Sequence, residues 1–410
     1  MRNKMKYKTV VFDLDGTLLN TLGDLTDAVN HAVSHLGVKP STEVQIRARV
    51  GNGAAKLLQR TLEANNTNGD IDECFKRFSE YYRGHMTCRT VPYGGIMHLL
   101  EKLKLAGIKT AILTNKFDLA AKEIAKHYFG ELIEYTQGEK VDVPRKPAPD
   151  ALFSIMEMFD SDKDSTLYIG DSTVDIQTAK NAGVKSVAVS WGYCDREHIK
   201  GADILVDRVY QLEDIIFGID FKEIETNFTK RGFGFKIFDT KEQASDYIVS
   251  QCEGKSVGFG GSVTLDEMGI YENLKEKGID AHWHWKNEPI YMNGDIYLTS
   301  ANGLSKTGEI VNIDGTCNRV AATLYNAKRC IIVCGLNKLA RDLEDAIDRA
   351  KNISAPLNAK RLNKKVPCVT TGQCEDCMSP ERICKAMVIL MNPPTNMECE
   401  IVLINDNLGY

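Results

Sequence analysis

Three short apolar runs in the first half of the chain each stop abruptly at polar residues. Thr9-Val10-Val11-Phe12 stops at Asp13-Leu14-Asp15-Gly16-Thr17, and Thr110-Ala111-Ile112-Leu113 stops at Thr114-Asn115-Lys116. Leu167-Tyr168-Ile169 stops at Gly170-Asp171-Ser172-Thr173-Val174-Asp175. Runs of this length bounded by turn signals read as buried parallel strands. Apolar residues at helical spacing fill the intervals. Leu22 to Leu36 predicts a long helix closed by Gly37, and Ile96 to Leu105 an amphipathic helix stopped at Gly107. Residues from Pro40 to about Tyr82 are helix-rich and hold no strong strand, and another helix begins near Asp118.

The alternation resumes in the second half, after a charged stretch with several glycines between Gly218 and Gly234 that marks a domain boundary. Thr240-Lys241-Glu242-Gln243 fits a capping box for a helix running to about Cys252. Ser256–Phe259, Asp295–Ser300, Glu309–Ile313 and Cys330–Cys334 read as strands, and Leu265 to Lys277 as one helix. His282-Trp283-His284-Trp285 reads as a half-buried strand, in preference to a metal site, with both histidines on one face and both tryptophans on the other.

Composition narrows the function classes. A chain of 410 residues is expected to hold two or three domains. Its net charge of −5 gives no bulk case for binding nucleic acid or a membrane surface. No run is long and apolar enough to span a bilayer. The basic N-terminus leads into a short apolar run ending in acids, unlike a secretory signal, so the cytoplasm is the expected location. Twelve cysteines in such a chain suggest reduced thiols or a metal site rather than a disulfide framework.

Candidate chemistry sits where the strands end. Asp13 and Asp15 project to the same side of their strand, and Gly16 permits a tight turn around an anion. Two carboxylates this close call for a hard cation such as Mg²⁺. One can attack phosphorus while the other moves protons. Thr114 and Asn115 can bond phosphate oxygens. Lys146, held extended by Pro147, can reach inward as a balancing charge. Asp171 is placed for the cation, and Asp175, one helical turn on, can complete or orient its shell.

Phe12-Asp13-Leu14-Asp15-Gly16-Thr17-Leu18, followed by those three strand or loop ends in that order, resembles the haloacid dehalogenase superfamily of phosphatases over about Lys8 to Gly218. Val50-Gly51-Asn52-Gly53, Pro92-Tyr93-Gly94-Gly95, Thr114-Asn115-Lys116 and Arg145-Lys146-Pro147-Ala148-Pro149-Asp150 resemble its phosphoglycolate phosphatase group. The resemblance implies an α/β fold with a doubly wound parallel-sheet core at 1–218 and a helical cap at about 18–90. It implies a small phosphorylated metabolite as substrate and an aspartyl-phosphate intermediate. Asp13 would be the nucleophile and Asp15 the general acid, then base. Thr114 and Lys146 would hold the phosphoryl group, while Asp13, Asp171 and the Asp15 carbonyl bind Mg²⁺. Read from the residues alone, Arg49 and the loop after it either face the substrate or merely connect two helices.

In the second half, Gly260-Gly261-Ser262-Val263-Thr264, Asn312-Ile313-Asp314-Gly315-Thr316, Asn318-Arg319-Val320-Ala321-Ala322, Gly335-Leu336-Asn337-Lys338 and Asn407-Leu408-Gly409-Tyr410 resemble the lactate-utilisation (LUD) family. That resemblance implies a second α/β domain at 235–410, like the sugar-isomerase and coenzyme A-transferase group, without naming a reaction. At the strand ends of this half, Asp314, Asn318, Arg319, Asn337 and Lys338 are candidates to converge on an anionic ligand, and Gly260-Gly261-Ser262 is either a phosphate cradle or an ordinary turn. Cys368, Cys374, Cys377 and Cys384 have a spacing that suits Zn²⁺ or an iron–sulfur cluster. The alternative to a phosphatase is a redox or ligand-binding protein centred on that cluster. The sequence leaves the oligomeric state open.

Overall fold

A computed structural model describes residues 6–51, 53–325 and 327–410. The chain forms two compact units, Met1–Ile219 and Asp220–Tyr410. Each has its own parallel six-stranded sheet.

In the first unit the strands are β1 (Thr9–Phe12), β2 (Lys109–Phe117), β3 (Tyr135–Glu139), β4 (Thr166–Gly170), β5 (Lys185–Val189) and β6 (Ile204–Val206). They lie in the order β3-β2-β1-β4-β5-β6, all parallel. This is a Rossmann-type core, with the first strand central and the order reversing beside it, the arrangement that opens a crevice at the strand ends. β1 and β4 are buried throughout, which explains their continuous apolar sequence. Val10, Phe12, Leu167 and Ile169 pack into the main core, while Val11 and Tyr168 belong to a second cluster with Leu152 and Ile155.

Four helices stand between β1 and β2: α1 (Leu22–Val33), α2 (Glu43–Arg47), α3 (Ala54–Ala64) and α4 (Ile71–His85). They are framed by Leu19–Asn20 and Val91–Pro92, which pair antiparallel and so bring the chain back to where it left. Ser34–Leu36 continues α1 as a single 3-10 turn, and Gly37 ends it at φ +70°. Leu25, Val29, Leu58, Phe78 and Tyr82 pack in one core with β1. One predicted feature of this stretch, Asn52, lies outside the described residues.

In the second unit the strands are β7 (Gly234–Phe238), β8 (Ser256–Phe259), β9 (Asp280–His282), β10 (Ile296–Thr299), β11 (Gly303–Ser305), β12 (Ile310–Asp314), β13 (Arg329–Gly335), β14 (Leu339–Ala340), β15 (Ala386–Leu390) and β16 (Glu398–Ile404). The parallel sheet runs β9-β8-β10-β13-β16-β7. A second sheet runs β14-β11-β12-β15, with β12 antiparallel to both neighbours.

Three expectations change here. β12, which carries Asp314, joins this second sheet and not the parallel one, because β11 lies only four residues before it, in pairing reach across a tight turn. The expected helix from Leu265 to Lys277 is two helices, Val263–Glu267 and Ile270–Glu276, broken where Gly269 takes φ +63°. The His-Trp-His-Trp strand ends at His282. Trp283 is fully buried, and Trp285 stacks on it at 5.3 Å instead of sharing an alternate strand face. Trp283 also stacks on Phe259 and lies against Tyr271, so the indole rings settle in an aromatic cluster. Residues 221–230 of the glycine-containing stretch form a helix, capped by Asp220.

Candidate active site

Asp13 leaves the carboxyl end of β1, and Asp171 that of β4, the adjacent strand. Asp175 is held in the first turn of helix Thr173–Ala182 by a reciprocal cap. The Ser172 amide donates to Asp175 Oδ2 at 3.1 Å, and the Asp175 amide donates to Ser172 Oγ at 3.4 Å. The three carboxylates are buried and can bring ligand oxygens within 4.8 Å of one another. Lys146 reaches in from its loop. Its ammonium donates to Asp13 Oδ1 at 2.9 Å and to Asp175 Oδ1 at 2.6 Å.

The charge balance is unfavourable by one or two negatives. Burial pushes the Asp13 carboxyl up to about 6, against the opposing pull of Lys146, and Asp175 adds to the rise. Burial also raises Asp171 well above the carboxylate range, with Asp13 and Asp175 contributing repulsion. Lys146 is driven down by burial but further up by Asp13 and Asp175, so it stays charged. A cation would remove the remaining repulsion. The donor set is all oxygen, which suits Mg²⁺. Two glycines make room for Asp171: a Cβ on Gly16, itself at φ +86°, or on Gly192 would collide with its side chain. The Asp15 side chain stands outside this group of three.

Asp15 has a different set of partners. Its Oδ1 accepts from Thr21 Oγ1 at 2.7 Å and from Lys116 Nζ at 3.0 Å. Lys116 also donates to the Tyr82 hydroxyl at 2.8 Å, on α4. Burial holds the Tyr82 phenol up at about 12, so it is neutral there. Thr114 is buried on β2, where its Oγ1 accepts from the Lys116 amide, and Asn115 Nδ2 donates to the Lys146 carbonyl at 3.2 Å. Asn115 therefore braces the lysine loop. Lys116 had no assigned role in the sequence. Its role depends on α4, through the bond to Tyr82.

Tyr193, Arg47 and Tyr168 had no assigned role either. The Tyr193 amide donates to Asp171 Oδ2 at 2.6 Å, and its hydroxyl accepts from the Thr21 amide at 2.7 Å. Arg47, on α2, clamps the carbonyls of Gly192 and Tyr193 at 3.0 Å each. Tyr168 donates to Asp175 at 3.2 Å. Arg49 donates to Ser41 and Thr61 within the helical insertion.

In the second unit, Gly261, Ser262, Asp314, Asn318, Arg319 and Lys338 line one cavity of about 460 Å³. Gly260 and Asn337 do not line it. Gly260 lies against Thr299 and Arg319, and Asn337 bonds Leu408 and Gly409, so both hold the backbone. The thiols of Cys368, Cys374, Cys377 and Cys384 form no group of three within 4.8 Å among the described residues, so the expected Zn²⁺ or iron–sulfur centre has no assembled ligand set. Burial, with repulsion from Cys374, Cys368 and Cys377, pushes Cys384 up to about 11, and burial with repulsion from Cys377 and Cys374 raises Cys368, so the four thiols lie near one another. Cys330 and Cys399 are core residues on paired strands. No helix among the described residues is long and apolar enough to cross a membrane.

The model of the haloacid dehalogenase-like hydrolases matches residues 10–189, and that of the LUD domain matches residues 221–404. A phosphoglycolate phosphatase of Agrobacterium fabrum is 32% identical over 216 residues, 50% of this chain and 91% of the relative. One of Pseudomonas syringae pv. tomato is 35% identical over 191 residues, 45% of this chain and 70% of the relative. The crystal structure of a phosphoglycolate phosphatase homologue from Lactobacillus delbrueckii subsp. bulgaricus superposes with a TM-score of 0.50 at 31% identity, covering 52% of this chain and all of that one. The first unit is thus a phosphomonoester hydrolase of the phosphoglycolate phosphatase-like kind. The chain belongs to the haloacid dehalogenase-like hydrolases, and its second half is a LUD domain.

Proposed function

We propose that the first unit hydrolyses a small, phosphoglycolate-like phosphomonoester with Mg²⁺, through a phosphoryl group carried on Asp13. The observation that carries this reading is the convergence of Asp13, Asp171 and Asp175 with Lys146 bridging two of them. Asp13, Asp171 and Asp175 would hold Mg²⁺ through their side chains, with the Asp15 carbonyl beside them. The ion would neutralise the carboxylates and the charge of the phosphoryl oxygens.

A free oxygen of Asp13 attacks phosphorus, and the ester oxygen leaves with its bonding pair. Asp15 gives that oxygen a proton, so the alcohol departs neutral. Lys146 holds the other Asp13 oxygen and fixes the carboxylate plane. Asp15 then takes a proton from water as the water attacks phosphorus. Phosphate leaves and Asp13 returns as a carboxylate. Thr21 and Lys116 keep the Asp15 carboxyl aimed throughout.

The direct test is hydrolysis of 2-phosphoglycolate with Mg²⁺ and with excess chelator. Loss of turnover on chelation, restored by Mg²⁺, supports the reading. Undiminished turnover without any divalent ion removes it.

Helices α1–α4 would act as the cap over this centre. A closed cap excludes water and large substrates. The kcat/KM for 2-phosphoglycolate is expected to exceed that for a phosphorylated protein by about a hundredfold or more. A preference for the protein substrate would show that these helices do not cover the site.

Metal binding should also stabilise the fold with a defined pH dependence. Asp13 titrates near 6 in the folded chain against an ordinary 3.8. Its contribution to stability is therefore complete at pH below the ordinary value and lost as pH rises through about 6. A cation cancels that loss. Mg²⁺ at a hundred times its Kd is expected to add about 2.7 kcal/mol. The shift in Tm should be larger above pH 6 than below it, and an equal shift on both sides would argue against Asp13 as a ligand.

A further inference from the structure

The cavity of the second unit contains a buried cation without a buried counterion. Lys338 is 3% exposed. Its ammonium donates to Thr264 Oγ1 and to Ser300 Oγ, both at 2.7 Å. Both partners are neutral hydroxyls, and no carboxylate among the described residues pairs with it. An ammonium has three N–H groups, so one is left to face the cavity. Burial holds this amine down at about 8. A buried charge with only neutral partners is costly, and the cost is recovered when an opposite charge arrives.

The neighbouring Arg319 is not the free donor. Its guanidinium is consumed by the carbonyls of Ser300 and Ile313 and the amides of Asn302 and Asn312, and it lies 3.8 Å from Asp314. It braces the two strand ends and leaves its charge in the wall. Around the mouth, the Arg361 guanidinium lies over the Trp285 ring at 4.8 Å, and Lys364, Arg382 and Lys385 complete the lining. In all, six basic side chains line the cavity against the two acids Asp314 and Glu381. A cavity of about 460 Å³ has the size of a small-metabolite site.

We propose that the second unit binds a small anionic metabolite, bearing a carboxylate or a phosphate, whose charged group pairs with Lys338 among the hydroxyls of Ser262, Thr264 and Ser300. Arg361 and Trp285 close over its outer part. This site is built from residues of the second unit alone and stands independently of the phosphatase reading.

The test is peptide-resolved reductive methylation of the full chain with formaldehyde and borohydride, near the pKa of the Lys338 amine. It is run alone, with saturating inorganic phosphate, with saturating glycolate, and with ethylene glycol as a neutral control. Methylation of Lys338 should fall about tenfold with at least one anion, as expected for a mostly occupied site, while the surface Lys277 is unaffected. Protection by one anion and not the other identifies the head group. Equal methylation of Lys338 with every additive overturns the proposal, as does protection by ethylene glycol.

Should Lys338 resist the reagent altogether, equilibrium dialysis of labelled phosphate and glycolate decides. Arg361→Ala, an exposed change that spares the fold, and Lys338→Met should each bind one fewer anion than the wild type or bind it about tenfold more weakly. Variants that bind both anions as the wild type does overturn it.

Discussion

Asp13→Asn is expected to lower hydrolysis of 2-phosphoglycolate by about a thousandfold or more, the scale on which removal of a covalent nucleophile is felt. The amide keeps the size of the carboxylate but not its charge. It can still accept from Lys146, so the neighbouring loop stays in place. The same change relieves repulsion, since burial and Asp175 both work against an ionised Asp13. The variant should therefore be no less stable than the parent when no divalent cation is present. Rate and stability moving apart is the signature sought. Single-turnover assays and thermal unfolding on one preparation give both numbers, and a variant with near-parental turnover would remove Asp13 from the mechanism.

Lys146→Met is expected to damage both. The lysine side chain is 4% exposed and is the ammonium that touches Asp13 and Asp175. Replacing it by an apolar chain of similar length leaves the buried carboxylates uncompensated. Breaking one side of a buried ion pair costs about 3–5 kcal/mol. Part of that cost should be recovered by Mg²⁺, which supplies positive charge to the same carboxylates. Turnover should remain low, by about a hundredfold, because Asp13 is no longer oriented. Unfolding by urea, with and without Mg²⁺, measures the first effect and kcat the second. A variant as stable as the parent in chelator would mean that solvent, and not Lys146, balances these acids.

The strands bearing Asp13, Thr114 and Asp171 were legible because buried parallel strands have no polar face, so the polar residue after each run marks the strand end. The helix of Leu22 and its stop at Gly37 were legible through spacing and a left-handed cap. The second sheet of the LUD half was not. β11 and β14 are three and two residues long, below the length at which alternation can be recognised. Lys116 was seen only as part of a motif. Its role depends on Tyr82, distant in sequence and joined to it by tertiary folding. Arg47 is the same case: its partners are main-chain carbonyls, which carry no side-chain signature at all. The cysteine spacing brings the four thiols into one neighbourhood, but no three of them lie within 4.8 Å among the described residues, and spacing along the chain does not carry that finer distance.

Tyr82 belongs to α4, Lys116 to β2 and Asp15 to the turn after β1, and one ammonium joins all three. Lys116 cannot keep both bonds if α4 moves away from the sheet, because the phenol lies only 2.8 Å from it. Movement of α4 would therefore cost the ammonium one of its anchors while Asp15 keeps Thr21. The arrangement works as a tie rod, in which the ammonium that helps Thr21 hold Asp15 is fully braced only with α4 in place.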